Sequence, residues 1–106
     1  MDIMGMNFEL TPAIAAHVES RVGTAVEGIA GTKVQGVMVR LGDLNGPRGG
    51  QDKVCRIVVW PHKDKPVLAR AVHRDLYRAI DEAAFRLREA LRRRVHRRMT
   101  LQRGPR

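Results

Sequence analysis

Two stretches of the chain place apolar residues at helical spacing. The first follows Thr11 and Pro12, which suit the cap and the first turn of a helix, and it runs to about residue 28. The second runs from about residue 75 to beyond residue 95. The apolar positions are Ile14, Val18, Val22, Ala25 and Val26 in the first stretch, and Leu76, Ile80, Ala83, Ala84, Leu87, Leu91 and Val95 in the second. Recurrence at every third or fourth position predicts two amphipathic helices.

Four further stretches, residues 2–8, 33–43, 53–60 and 67–72, are rich in apolar or alternating side chains and predict β-strands. In the third, Cys55, Ile57 and Val59 point to one side and are predicted to face the core. In the fourth, small Ala69 and Ala71 are predicted to point inward, where they let a helix approach closely. The resulting order, β-α-β-β-β-α, predicts an α+β fold. Its four-stranded sheet carries both helices on one face and leaves the other face open.

The charge of the chain is concentrated towards its C-terminal end. The 106 residues include 20 Lys or Arg and 11 Asp or Glu, and the formal net charge is +9. Residues 86–106 contain nine arginines and one acid, Glu89, so nearly all of the net charge falls there. Arginine pairs bidentately with phosphate and stacks on bases, so the expected partner is a nucleic acid rather than a membrane.

The arginines of the second helix point in three directions, taking about 100° of rotation per residue. They are Arg86, Arg93 and Arg97 on one flank of the apolar stripe, Arg88 and Arg92 on the opposite flank, and Arg94 and Arg98 on the stripe itself. Unpaired guanidinium groups cannot be buried in a core. The helix is therefore predicted to leave the core near residues 91–95 and to project a cationic end.

The length of the chain suits one folded unit. We expect a single domain over residues 1–98 and a basic, flexible tail over residues 99–106. No apolar run approaches the roughly 20 residues of a membrane-spanning helix, and the first residues lack the pattern of a secretory signal. Cys55 is the sole cysteine, which excludes an internal disulfide. These features predict a cytoplasmic protein.

No catalytic constellation is recognisable in the sequence. The four histidines lie on separate elements without the spacing of a zinc site: His17, His62, His73 and His96. Cys55 has no partnered base, and the glycine-rich loop of residues 44–50 lacks the motif that cradles nucleotide phosphates. We therefore expect no enzymatic activity, no cofactor, no metal and no small-molecule substrate.

Four segments, in their order and spacing, resemble one known family. They are Asn7-Phe8-Glu9-Leu10-Thr11-Pro12-Ala13-Ile14, Asp43-Leu44-Asn45-Gly46-Pro47-Arg48-Gly49-Gly50, Asp52-Lys53-Val54-Cys55-Arg56-Ile57 and Asp75-Leu76-Tyr77-Arg78-Ala79-Ile80-Asp81. The family is that of the ribosome hibernation promoting factors, also called ribosome-associated inhibitors, ribosomal subunit interface proteins or sigma factor modulation proteins. The resemblance covers about residues 3–97, and the family fold is similar to that of double-stranded RNA-binding domains.

The resemblance implies a translation inhibitor that keeps idle ribosomes inactive under stress. Such proteins dock on the rRNA of the small ribosomal subunit near the decoding centre and occlude the mRNA and tRNA sites. Carried over by position, the RNA-binding residues are Arg86, Arg93 and Arg97, with Arg88, Arg92 and Arg21 behind them. Met6 stands where the family often has a basic residue. The dimerising second domain of the long members is not matched, so a role in pairing ribosomes is not implied, and we expect a monomer off the ribosome.

Some residues keep two interpretations at this point. Arg48 either contacts phosphate or lies in a loop whose glycines serve only the turn. Trp60 and Arg56 share the open face of the sheet and form either a base-stacking platform or a packed surface pair. Phe85 is predicted to be exposed, with its role open. His17 lies near Arg21 in angle and either joins the RNA-facing rim or, as we expect, has only a surface role.

Two other functions also stay open. One is a general module for structured RNA, which would bind tRNA as well as ribosomes. The other is a protein-interaction regulator of a sigma factor, which would keep its partner after nuclease treatment.

Overall fold

The computed structural model of the protein describes residues 1–6, 9–27, 33–44 and 52–103, and side chains as far as residue 97. Its elements are β1 (Asp2–Met6), α1 (Pro12–Glu27), β2 (Val34–Asp43), β3 (Lys53–Pro61), β4 (Val67–His73) and α2 (Leu76–Arg103). This is the predicted α+β fold with the predicted order β-α-β-β-β-α.

The four strands form one sheet in the order β1-β2-β3-β4. β1 runs parallel to β2, and a parallel pair needs a crossover connection, which α1 supplies. The β2–β3 and β3–β4 pairs are antiparallel. Both helices contribute to a single buried cluster with one face of the sheet. The opposite face of the sheet carries no helix.

Side-chain caps explain where each helix begins. The Thr11 Oγ1 accepts a hydrogen bond from the Ile14 N–H at 3.2 Å, as expected for the cap of α1. The Asp75 Oδ1 accepts one from the Tyr77 N–H at 2.9 Å, so Asp75 caps α2. The His73 Nδ1 accepts a hydrogen bond from the Asp75 N–H at 3.0 Å, just before this cap. Each cap satisfies a backbone donor that the first helical turn leaves without a partner.

The core lies between the helices and the sheet. Fully buried residues from the strands include Leu41 and Ile57, and those from α2 include Ile80 and Leu87. The small side chains predicted to point inward in β4 are buried beneath α2, which contacts both β3 and β4. Their size lets the helix lie close to the sheet.

Cys55 is a core residue, as the alternation in β3 predicted, and it has no exposed surface. Burial raises the pKa of its thiol to about 12. We therefore expect a thiol reagent at pH 8 to modify the urea-unfolded chain quickly and the folded chain at least tenfold more slowly, since the thiolate is the nucleophile. Equal reaction rates of the folded and unfolded chains, measured by absorbance, would contradict the buried placement of Cys55. Because the unfolded thiol ionises first, the free energy of unfolding falls as pH rises above the ordinary pKa of cysteine.

The last helix is longer than the hydrophobic pattern predicted. α2 ends at Arg103, so the backbone of residues 99–103, assigned to a flexible tail by the sequence, is helical. Gly104 and Pro105 follow, and these are the two residue types least favourable in a helix. Over the ranges that the structure describes, neither helix combines the length and apolar character that crossing a membrane requires.

Candidate nucleic-acid interface

Three exposed arginines lie along the flank of α2 that faces β4. The Arg86 Nη1 donates a hydrogen bond to the Arg70 carbonyl oxygen of β4 at 2.7 Å. Arg93 and Arg97 line a groove between α2 and the beginning of β4, at Val67. The structure thus brings Arg93 and Arg97 together and places Arg86 on the same flank, as the angular calculation predicted. Most of the donors on these guanidinium groups face solvent and are available to phosphate oxygens.

Arg94, on the apolar stripe of α2, is paired by a turn that lies far away in the sequence. Its Nη1 donates to the Lys65 carbonyl oxygen at 2.8 Å and lies 3.2 Å from Asp64 Oδ1. The turn between β3 and β4 therefore satisfies this half-buried guanidinium group. With the charge paired, α2 stays against the sheet as far as Val95, which is partly buried in the core cluster. The next described side chains, His96 and Arg97, are exposed, so the helix leaves the core close to the predicted position.

A second arginine group lies on the opposite flank of α2. Arg21 of α1 and Arg88 of α2 line the groove between the two helices, together with Phe85. Arg92 points to the same side, and its Nη1 lies 3.7 Å from the Glu89 carboxylate. These residues were predicted to support the first group, but α2 itself separates the two. An RNA that contacts both groups has to straddle the solvent-facing side of α2.

Phe85 occupies that solvent-facing side, between the two arginine groups. Its side chain is 63% exposed, which confirms the sequence prediction. It lines the interhelical groove with Arg21 and Arg88, and a second depression with Arg86. Asp81 and Glu82 also line the second depression, so the ring lies among charges of both signs. An exposed aromatic ring with guanidinium groups beside it offers a surface on which an unpaired base can stack.

An ion-pair cluster joins the two helices beside this surface. The His17 Nε2 lies 2.8 Å from Asp81 Oδ1, and the Arg21 Nε lies 3.3 Å from the same oxygen. The His17 ring also contacts the edge of Tyr77, with ring centroids 4.8 Å apart. His17, expected at the surface or on the RNA-facing rim, is instead half-buried and binds α1 to α2. The cluster holds Arg21 of α1 in a fixed position relative to the arginines of α2.

A second ion-pair cluster closes the base of the loop between β2 and β3. The Lys53 Nζ lies 2.9 Å from Asp43 Oδ2 and 3.3 Å from Asp52 Oδ2. The hydrogen bond to Asp43 is the main cause of a raised pKa at Lys53, so the lysine stays charged at neutral pH. Asp52 is 1% exposed, and only a charged partner makes that burial tolerable. Arg48, predicted as a phosphate contact, lies outside the described residues.

Within the described parts of the chain, no three His, Cys, Asp or Glu side chains are grouped so as to hold a metal ion. The two arginine groups of α2 and the Phe85 ring between them provide guanidinium groups and an aromatic surface. Such a surface binds phosphate and stacks on bases.

The solved structures that are similar to the chain include a domain from Thermus thermophilus and a protein from Coxiella burnetii. The crystal structure of the Protein Y N-terminal domain from Thermus thermophilus is 27% identical, with a TM-score of 0.70, over 87% of this chain and 93% of that chain. A ribosomal subunit interface protein from Coxiella burnetii is 13% identical, with a TM-score of 0.68, over 89% and 96%, and this likeness supports the fold alone.

No curated protein matches the chain. The family model described as "Sigma 54 modulation protein / S30EA ribosomal protein" matches residues 1–99, which cover almost the whole chain and all the arginines placed on α2 as far as residue 98. The protein therefore belongs to the sigma 54 modulation protein / S30EA ribosomal protein family.

Proposed function

We propose that the protein binds the small ribosomal subunit and holds the ribosome inactive, as a cytoplasmic, non-enzymatic inhibitor of translation. The observation that carries this proposal is the pair of exposed arginine groups on the two flanks of α2, in a chain of this family. The family model, whose description names a ribosomal protein, supports the same assignment.

The mechanism that fits this geometry is occlusion. A rigid domain docks by arginine–phosphate pairs near the decoding centre and fills space that mRNA and tRNA would occupy. Arg86, Arg93 and Arg97 contact one rRNA strand, while Arg21, Arg88 and Arg92 contact a strand on the other side of α2. Recognition rests on the shape and backbone of the RNA, since structured RNA offers little access to base edges.

Binding to small subunits is expected to weaken steeply with salt. If about five phosphates are neutralised, a plot of log K against log salt has a slope of roughly −3.5 to −4.5, because each contact releases condensed counterions. Co-sedimentation of the protein with purified small subunits through sucrose, at several salt concentrations, measures this slope. A flat dependence would contradict phosphate pairing.

Translation in a cell-free extract is expected to stop when the protein exceeds ribosomes several-fold. Occlusion also predicts that mRNA and initiator tRNA, added in excess before the protein, reduce inhibition by competing for the same space. Reporter synthesis over time is the measurement. Full synthesis at saturating protein would contradict the proposed function.

A regulator that binds another protein is the second candidate, because the family description includes sigma 54 modulation. It predicts a complex that survives nuclease treatment, whereas ribosome docking predicts loss of the complex when the rRNA is digested. A competition experiment distinguishes ribosome docking from binding to structured RNA in general. If the protein binds structured RNA in general, an equal mass of total tRNA displaces it from ribosomes.

A further inference from the structure

The face of the sheet that carries no helix has a row of arginines across three strands. In the register of the strands, Arg40 of β2 lies directly opposite Arg56 of β3, and Arg56 lies directly opposite Arg70 of β4. Neighbouring strands are about 4.8 Å apart, so the row spans about 10 Å. All three residues are exposed. The buried neighbours of Arg56 in β3, Cys55 and Ile57, point to the opposite face and into the core.

The arginines of this row are not used in ion pairs within the described parts of the chain, although the Asp2 carboxylate lies on the same face, opposite Met38. Among the residues that the structure describes, no carboxylate forms an ion pair with Arg40, Arg56 or Arg70. Like charges directly opposite one another across strands are destabilising. Three aligned and unpaired guanidinium groups therefore form a preformed site for an anion with several charges.

Apolar side chains surround the arginine row on the same face. Met4 pairs in register with Arg40 and is 49% exposed, and Leu68 of β4 is 53% exposed. Trp60, about 13 Å along β3 from Arg56, is 39% exposed. Its indole ring lies against Gly36, where a Cβ would meet the Trp60 Cε3 at 3.6 Å. One side of the ring is thus supported by the sheet.

We propose that this open face binds a single-stranded segment of RNA, with phosphates on the Arg40–Arg56–Arg70 row and a base stacked on Trp60. Sheets that bind single strands combine a basic track with an aromatic platform, and this face has both. The proposal goes beyond the function assigned above, because the surface lies on the side of the domain opposite the α2 arginines. The domain would then hold two RNA segments at once.

The charges on the face argue against two other occupants. A second copy of this chain docked face to face would bring two rows of three arginines together. A paired duplex hides its bases within the stack, so Trp60 would have no base to contact. A single strand supplies both the phosphates and the free base surfaces.

Trp60 is the sole tryptophan of the chain, so its fluorescence reports on this face alone. We expect a ten-nucleotide oligouridine to quench Trp60 in a saturable titration that weakens with salt. Polyglutamate of equal charge serves as the matched anion without bases and should leave the fluorescence nearly unchanged. Quenching by both anions would overturn the proposal in favour of an acidic protein partner. No quenching by oligouridine would overturn it outright.

Two variants of equal charge change locate the site. Arg56→Gln is expected to weaken the oligouridine titration about tenfold or more, because a charge-assisted contact is lost at the centre of the row. Arg78→Gln, an exposed arginine on α2, should stay within about twofold of the unaltered protein. Circular dichroism checks that both variants fold. Equal losses in the two variants would contradict the proposed site.

The outcome is separable from that of the proposed function. Ribosome binding is judged by sedimentation with subunits, whereas the titration uses free oligouridine and a reporter on the other side of the domain. A negative result in the oligouridine titration therefore does not contradict ribosome binding, and a negative sedimentation result does not contradict the site on the sheet.

Discussion

Replacing Arg86, Arg93 and Arg97 together by alanine is expected to lower the affinity for small ribosomal subunits by a hundredfold or more. Each side chain removes one charge-assisted contact of about 1–2 kcal/mol, so the loss totals about 3–6 kcal/mol. The fold should survive, since all three side chains are exposed and lie off the apolar stripe of α2. Sedimentation gives the affinity, and thermal unfolding gives the stability.

The other flank of α2 and its surroundings supply a matched control. Replacing Arg21, Arg88 and Arg92 by alanine removes the same charge from the interhelical side. If both triple variants lose equal affinity, the two flanks contribute equally and the prediction that Arg86, Arg93 and Arg97 form the principal contact is wrong. If removal of residues 99–106 costs more affinity than either triple variant, the anchor is the C-terminal segment and not the helix.

Leu87→Ala is expected to destabilise the protein by about 2–5 kcal/mol, since it removes a buried side chain and leaves a cavity. Leu87 has no exposed surface and belongs to the cluster shared by both helices and the sheet. A domain of this size has a total stability of only about 5–15 kcal/mol, so the change is a large fraction of it. The midpoint of thermal unfolding should fall by about 10 °C or more.

Phe85→Ala, two positions away on the same helix, is the control for that measurement. Its ring is 63% exposed, so the variant should stay within about 0.5 kcal/mol of the unaltered protein. Equal destabilisation by the two substitutions would mean that α2 does not pack as described. Because Phe85 also borders both arginine groups, Phe85→Ala can lower the affinity of the protein for ribosomes without lowering its stability.

Hydrophobic periodicity was sufficient to predict the elements and their order. The apolar spacing in α1 and α2 and the alternation in β3 show which side of each element is buried. This pattern can be recognised from neighbouring residues alone. The caps at Thr11 and Asp75 are local as well. The predicted exposure of Phe85 followed from its angle on the helix, and the structure confirms it.

Contacts between distant elements could not be predicted in the same way. Arg94 finds its partner 29 residues away, and His17 finds Asp81 64 residues away. No periodicity carries that information, so the end of the core was predicted near its observed position but the pairing of Arg94 was not. The alignment of Arg40, Arg56 and Arg70 depends on strand register, and a shift of one residue would have turned one of them to the other face.

The hydrogen bond from Arg86 to the Arg70 carbonyl has a consequence for solubility. β4 is an edge strand, and the outer backbone groups of an edge strand can template pairing with a strand from another molecule. Arg86 occupies one of those acceptors at 2.7 Å. A strand from another molecule would have to displace this guanidinium group and lie next to the positive charges of Arg93 and Arg97. The same side chains that are proposed to bind RNA thus keep the sheet from extending into an aggregate.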